Sequence, residues 1–479
     1  MYIGVDLGTS SIKLLLADNK GKIIDNSKAE YPLFFPKENY AEQNPEDWWQ
    51  GFILAIKDLA KRNDLRKVKG ISLSGQMHSL VILDDKDTVI RPAILWNDNR
   101  TEKECNYLNR EIGKENLVKW TGNMALTGFT APKILWLKNN EKENYLKIAK
   151  IMLPKDYLAY KLTGVFASDV SDLSGTLFFD VKRKCYSKPM LNVLGISDKQ
   201  LPKILESVNV IGKIRKDMAE TCGLSEKTKV IIGGGDQAIG AIGSGTVKNG
   251  QVSISLGTSG VIFINSQQFV EDPKASLHSF CNASGEYHLM GVTLACTASI
   301  EWWVKNILQS SDYRLVDEGL NDTPINDIIF LPYMMGERSP INDPNAKGAF
   351  YGLSLTHKQK DITKAILEGI CFSLKDCLKV ANIGGIYPQF ARVIGGGSKS
   401  SEWLQLLADV LNIQIRSINT SEGGGLGAII LAMTACGEFE SIAAACEILV
   451  SDNQIFKPNM EKTQLYESKY IKYKELYSK

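Results

Sequence analysis

Apolar and polar residues alternate through "YIGVDLGTSSIKLLLAD" in a way that predicts strand, turn and strand over residues 2–17. Ile3 and Val5 suit a strand interior, Asp6 closes the strand, and Gly8, Thr9 and Ser10 make the turn. The turn "DNKG" and the run "KIIDNSKA" extend the pattern to a second hairpin. The period then changes. In "NPEDWWQGFILAIKDLAKR", Phe52, Ile56 and Leu59 share a helical face, Asn44 can cap, Pro45 suits the first turn, and Glu46 and Asp47 favour its positive end. "VKGISLSGQMHSLVILDD" predicts two apolar strands around a polar turn. Strands that alternate with helices argue for an α/β domain.

The middle of the chain, about residues 96–228, is mixed. "TAPKILWLKNN" and "LPKDYLAYKLTG" predict helices, with Ile134 and Leu137, and Tyr157 and Tyr160, at helical spacing, while "ASDVSDLSG" reads as a loop. The second half then repeats the first. "VSISLGTSGVIFIN" has the layout of "YIGVDLGTSSIKLLL", and Leu7–Ser10 and Leu256–Ser259 are identical. Further on, "ITKAILEGICFSLKDCLKVA" predicts an amphipathic helix, "FARVIGGG" a strand and "SEWLQLLADVL" a helix. The expectation is two α/β domains, 1–247 and 248–479, whose matching glycine turns face each other across a cleft.

Composition narrows the function classes. A chain of 479 residues with 44% hydrophobic and 23% charged residues reads as globular and is long enough for two or three cores. A formal charge of +2 over that length gives no general reason to bind nucleic acid or an anionic membrane. The nine cysteines lie apart without a C-x-x-C pair, so reduced thiols are expected. His278 and Cys281 are close, but no further ligands surround them at metal-site spacing. No basic segment leads into a long apolar run at the start, and no stretch reaches the roughly 20 apolar residues of a membrane span, which points to the cytoplasm.

The chemistry lies in four stretches. Turns rich in Gly, Ser and Thr aim several backbone amides at one anion, so the two L-G-T-S turns, Gly8–Ser10 and Gly257–Ser259, are candidate phosphate holders. "VIIGGGDQAIGA" places Asp236 directly after three glycines, either as the cap of the following helix or as a general base for a substrate hydroxyl. "RVIGGGSKSSEWLQLL" carries Gly395, Gly396, Gly397 and Ser398, which serve either as strand-to-helix punctuation or as room for a flat ring such as adenine. "SEGGGLGAIILA" offers a second close backbone approach. In "SGQMHSL", Gln76 and His78 are either structural or hold sugar hydroxyls. Neither a P-loop nor a dinucleotide fingerprint is present.

Together these stretches resemble the FGGY carbohydrate kinases. Two signatures carry the resemblance, "GFTAPKILWLKNN" and "GAFYGLSLTHKQKDITKAILE", joined by "GQMH", "PAILWNDNR", "LPKDYL", "SDLSGT", "GGGDQA", "SLGTSG" and "LPYMMGERSP". They span residues 4 to about 430.

The resemblance implies an actin-like ATPase fold of two RNase H-like α/β domains with an active-site cleft between them. It implies ATP-dependent phosphorylation of a ketopentose hydroxyl, with D-xylulose to D-xylulose 5-phosphate foremost; another ketose or polyol such as ribulose, or a non-catalytic sugar sensor, stays open. Asp236 would be the base, and Asp6 would place Mg2+-ATP, the two carboxylates serving the metal. Gln76, Met77, His78 and Gln237 would meet the sugar. Gly8, Thr9, Ser10 and Lys13, with Gly257, Thr258 and Ser259, would hold phosphate, and Gly395–Ser398 would lie by the adenosine. Arg338 of "GERSP" carries no expectation beyond a structural ion pair. Ser79 stands where the family pattern has Gly, and Gln237 where Asn is usual, so the identity of the ketose is the open point. The spacing sets no oligomeric state, and a homodimer is one of the assemblies left open.

Overall fold

Tyr2–Leu7 (β1), Ser11–Ala17 (β2) and Ile23–Glu30 (β3) form the antiparallel meander that the alternation predicts, in a computed structural model that describes residues 1–420 and 422–477 apart from the side chain of residue 383. Gly70–Gly75 (β4) adds to β1 in parallel; Val210–Lys213 (β5) and Lys229–Gly235 (β6) complete a sheet of order β5-β6-β4-β1-β2-β3. One face is covered by the helix Pro45–Arg62, whose Phe52, Ile56 and Leu59 pack with Ile3, Val5, Leu14 and Leu16. Its start is fixed as expected, since Asn44 accepts the Glu46 amide at 3.1 Å. The same stripe spacing that predicts the helix therefore also fixes which face it buries.

The second sheet repeats this layout. Val252–Leu256 (β7) pairs antiparallel with Gly260–Ser266 (β8) and parallel with Phe390–Ile394 (β11), which is itself parallel to Gln414–Ile418 (β12). With His278–Cys281 (β9), Tyr287–Thr293 (β10) and Asp452–Phe456 (β13), the order is β9-β10-β8-β7-β11-β12-β13. In each sheet the first strand has a hairpin partner on one side and two parallel strands on the other. In each, the edge strand beyond those parallel strands runs antiparallel, β5 in the first and β13 in the second.

The chain clusters into two units: Met1–Val247 with Ser279–Tyr287 and Glu422–Leu449, and Lys248–His278 with His288–Ser421 and Val450–Lys479. The glycine stretch near Glu422, read in the sequence as a further approach to a ligand ring, is built into the first unit instead. There the helix Gly423–Ala435 covers the second face of the first sheet, burying Ile429, Ala432 and Met433 against Tyr2, Leu15 and Ala17. Its glycines are needed for close approach: a Cβ on Gly427 would overlap the Ile239 carbonyl oxygen, and one on Gly425 would overlap the Leu15 side chain.

"ASDVSDLSG" also differs from its expected loop. It folds as the strand Ala167–Asp169 and the short helix Val170–Leu173, all buried. Its polar side chains turn inward, Asp169 bonded to Ser171 and to Ser207 and Asp172 lying 3.4 Å from Lys155, an arrangement that a hydropathy pattern does not register. The long helix Gln359–Ala381 buries charged positions as well, because the helix Met460–Tyr477 supplies Lys469 to Glu368 and Tyr470 to Asp376. Among the described residues no helix is long and apolar enough to cross a membrane, and all nine cysteines are free thiols.

Gly427→Ala is expected to lower the melting temperature, since overpacking of this kind costs about 1–3 kcal/mol. A thermal unfolding curve superimposable on that of the unaltered protein would contradict the packing described.

Candidate active site

Asp6 lies near the end of β1, in register with Lys13 of β2 and Ser74 of β4. The first turn of the helix Gly423–Ala435 presses on it: a Cβ on Gly424 would stand 2.7 Å from its carboxylate, so only glycine fits there. Burial raises the Asp6 pKa, opposed by the nearby Ser74 hydroxyl and Lys13 and reinforced by Glu422.

Asp236 opens the helix Asp236–Gly243 directly after β6. The helix cap is Gly235 and Asp236 is the first helical residue, so the capping reading of this aspartate does not describe it. Its Oδ1 accepts the Gln237 amide at 2.7 Å. Burial first, and then the charge of Asp6, lift its pKa to about 7, against the lowering effect of the Gln237 hydrogen bonds. Both carboxylates are half-buried. Among the described residues no cation forms an ion pair with either of them.

The residues expected to hold phosphate in the first unit divide. Lys13 is taken up by Glu422, both of whose carboxylate oxygens lie 2.6 Å from its Nζ. The Gly8 amide donates to the Ser11 carbonyl at 3.0 Å, and the Gly8 carbonyl accepts the Tyr31 hydroxyl at 2.5 Å. Thr9 Oγ1 accepts from Trp96 Nε1 at 2.9 Å and donates to Gln76 Oε1 at 3.4 Å, whereas Ser10 is exposed.

Gln76 and Met77 are buried. Gln76 Nε2 reaches Gln43 Oε1 at 3.3 Å, and Met77 fills the space a side chain on Gly235 would need. His78 has a left-handed backbone, φ 69°, a conformation that L-residues with a side chain seldom hold. Its Nδ1 donates to the Gly175 carbonyl at 2.8 Å, the one direction that a carbonyl partner allows. Phe129 and Phe280 flank the ring at 4.9 and 6.1 Å. Gln237 is half-buried beside Asp236.

In the second unit, the Gly257–Ser259 turn is anchored through its carbonyls: Gly257 accepts from the Thr297 amide at 2.9 Å and Thr258 from Cys296 at 3.0 Å. A cavity of about 450 Å³ lies in the same unit, bounded by Thr297, Ile300, Tyr313, Gly396, Gly397 and Trp403. That volume suits a drug-sized or nucleoside-sized ligand. The three glycines are not equivalent. Gly395 has φ +87° and abuts the Leu256 carbonyl, Gly397 abuts Trp403, and Gly396 alone has open space where a side chain would be. Ser398 closes the turn by bonding to the Gly395 carbonyl at 2.7 Å and does not line the cavity. Ser400 caps the helix Ser401–Leu411.

Three features were not legible beforehand. Trp96 reaches the Thr9 hydroxyl, which only the folded chain brings together. Ser79 is fully buried and its Oγ accepts the Trp96 amide at 3.2 Å, so its departure from the family pattern ties down Trp96. Arg338 forms no ion pair among the described residues, and burial lowers its pKa against the pull of Glu337. The expected structural ion pair is therefore absent.

Two α/β units of like topology, with paired carboxylates in one and a glycine-edged cavity in the other, define a class of phosphotransferases, and comparison with known proteins makes the class specific. The description "FGGY family of carbohydrate kinases, N-terminal domain" matches residues 1–243, and that of the C-terminal domain matches residues 252–436. A curated xylulose kinase from Bacillus subtilis (strain 168) is 37% identical over 481 residues, covering 99% of this chain and 96% of the relative. A crystal structure of a xyloylose kinase from Brucella ovis has a TM-score of 0.95 at 34% identity, with 100% and 98% of the two chains covered. A crystal structure of a gluconate kinase from Lactobacillus acidophilus has a TM-score of 0.94 at 29% identity, covering 99% and 97%. The chain belongs to the FGGY family of carbohydrate kinases, and it is a carbohydrate kinase.

A buried carboxyl with a raised pKa makes the folded state bind more protons than the unfolded chain between the ordinary pKa, 3.8, and about 7. Stability is lost as pH rises through that window. Asp236→Asn removes the cost, so its melting temperature should exceed that of the unaltered protein at pH 8 and converge with it towards pH 4; a lower melting temperature at pH 8 would contradict this electrostatic account.

Proposed function

We propose that this kinase transfers the γ-phosphoryl group of ATP to the primary hydroxyl of a ketopentose, D-xylulose, giving D-xylulose 5-phosphate. The observation that carries the reading is Asp236, a carboxylate raised to about 7 by burial and by Asp6. A base of that strength is poised to accept a proton near neutral pH. As the sugar oxygen bonds to phosphorus and the bond from phosphorus to the ADP oxygen breaks, the hydroxyl proton passes to Asp236. His78 and the half-exposed Trp96 would orient the sugar. Gly257–Ser259 would hold ATP phosphates through backbone amides, and the cavity beside Gly396 would take the adenosine.

Among the described residues no cluster of three or more His, Cys, Asp or Glu is placed to hold a metal. The pair Asp6 and Asp236, the first raising the pKa of the second and neither ion-paired to a cation among the described residues, fits a hydrated divalent ion bound mainly through water and phosphate. Mg2+ at that place would neutralise charge on the phosphates.

The choice of D-xylulose rests on the curated relatives, and the gluconate kinase of nearly equal fold similarity is the reason to test it. ADP formation with Mg2+-ATP is measured against D-xylulose, L-xylulose, D-ribulose, L-ribulose, D-fructose, glycerol and gluconate. D-xylulose is expected to dominate, and a dominant response to gluconate or another sugar would overturn the substrate. Asp236→Ala is expected to lower kcat about a hundredfold to ten-thousandfold. Turnover close to that of the unaltered enzyme would remove Asp236 from the role of base.

A further inference from the structure

Two motifs supply none of the reacting or binding groups assigned above, "LPKDYL" and "SDLSGT", yet the fold brings both against the strand Lys229–Gly235 that leads into Asp236. Lys155, Asp156, Asp169, Ser171, Asp172 and Ser207 are each at most 1% exposed. Lys155 Nζ lies 2.5 Å from Asp156, 2.9 Å from Asp169 Oδ1 and 3.4 Å from Asp172. Burial works against the Lys155 charge, but the three carboxylates raise its pKa.

From Asp169 a line of hydrogen bonds runs to the N–H of Gly235, the residue before Asp236. Asp169 Oδ2 accepts the Ser171 hydroxyl at 2.5 Å and the Ser171 amide at 2.8 Å. With its one proton donated to the carboxylate, Ser171 Oγ turns a lone pair to the Gly235 N–H, 3.1 Å away. Gly234 has no side chain to intrude, since a Cβ there would stand 2.5 Å from Ser171 Oγ. The same short segment holds His78, because the Gly175 carbonyl accepts from its Nδ1 at 2.8 Å. One rigid piece therefore fixes both the backbone that carries Asp236 and the ring assigned to the sugar. Burying three carboxylates around one ammonium is an expensive arrangement, weak as a source of stability. The side-chain network is suited to setting position.

We propose that Ser171, held by the buried Lys155–Asp169 pair, is a positioning residue that sets Asp236 against the substrate hydroxyl through the Gly235 peptide. This rests on the reading of Asp236 as the base. A second hydroxyl provides the control. Ser207 Oγ also bonds to Asp169 Oδ2, at 2.6 Å, but makes no side-chain bond to the Gly235 peptide.

The test compares kcat, both KM values and melting temperature for Ser171→Ala, Ser171→Thr, Ser207→Ala and Asp236→Asn in the full-length enzyme. Misplacing a reacting group by about an ångström costs up to about a hundredfold, so Ser171→Ala should lower kcat about tenfold to a hundredfold with KM for sugar and ATP within about twofold. Ser171→Thr, which keeps the hydroxyl, should recover most of the rate, and Ser207→Ala should keep kcat despite losing a buried bond. If Ser171→Ala does not fold, Ser171→Cys reads the same loss, since sulfur is a weak acceptor. Equal kcat losses in the Ser171 and Ser207 variants, or an unchanged kcat in Ser171→Ala, would overturn the proposal. A substantial kcat in Asp236→Asn would instead overturn the base itself, whatever the Ser171 variants do.

Discussion

Two half-buried carboxylates of one unit, Asp6 and Asp236, with no cation ion-paired to either among the described residues, impose the constraint around which the first unit is built. Burial raises the proton affinity of both, and the charge of Asp6 adds to the rise at Asp236, because the chain around them is dense enough to strip away much of their water. That density comes from glycine. Gly424 lets a helix begin against Asp6, Gly427 lets it touch Ile239, and Gly243 lets the helix that starts at Asp236 meet Gly423. Both helices begin near these carboxylates, and the positive ends of helices ease the presence of negative charge there.

The cost of that arrangement explains the rest of the neighbourhood. A carboxylate kept above its ordinary range destabilises the fold at neutral pH, so surrounding contacts must hold it in place. They do so at two levels. Met77 packs against Gly235, and the Ser171 hydroxyl takes the Gly235 amide. Across the same segment, the Gly175 carbonyl holds the His78 ring, while Ser79 and Thr9 fix Trp96. Side chains that present themselves to a substrate are therefore locked by partners of their own, as preorganised sites require.

Local chemistry was legible in the sequence, and long-range closure was not. The opening meander, the Asn44 cap and the repeated L-G-T-S turns rest on periods and turn residues a few positions apart, and the two sheets do share one layout. The return of Glu422–Leu449 to the first unit depends on contacts some four hundred residues apart, for which no local pattern exists. "ASDVSDLSG" differs from its expected loop because polar residues buried against partners from elsewhere in the chain, here Lys155 and Ser207, look the same in sequence as polar residues that meet water. Glycine runs were ambiguous for a related reason: the approach they permit is to Asp6 or Ile239 at one run and to open space only at Gly396 in another. Lys13, chosen as a phosphate holder, has its charge answered by Glu422.

Direct titration of Asp236 tests the central claim, using the carboxyl carbon signals of aspartate-labelled protein without nucleotide or metal, assigned by their loss in Asp236→Asn. The account predicts a carboxyl that ionises at about 7 and moves back towards the ordinary aspartate range when Asp6 is replaced by asparagine. Ionisation near 4, unchanged in Asp6→Asn, would contradict it, because Asp236 would then be an ordinary solvated carboxylate with neither the burial nor the neighbour that makes it a base.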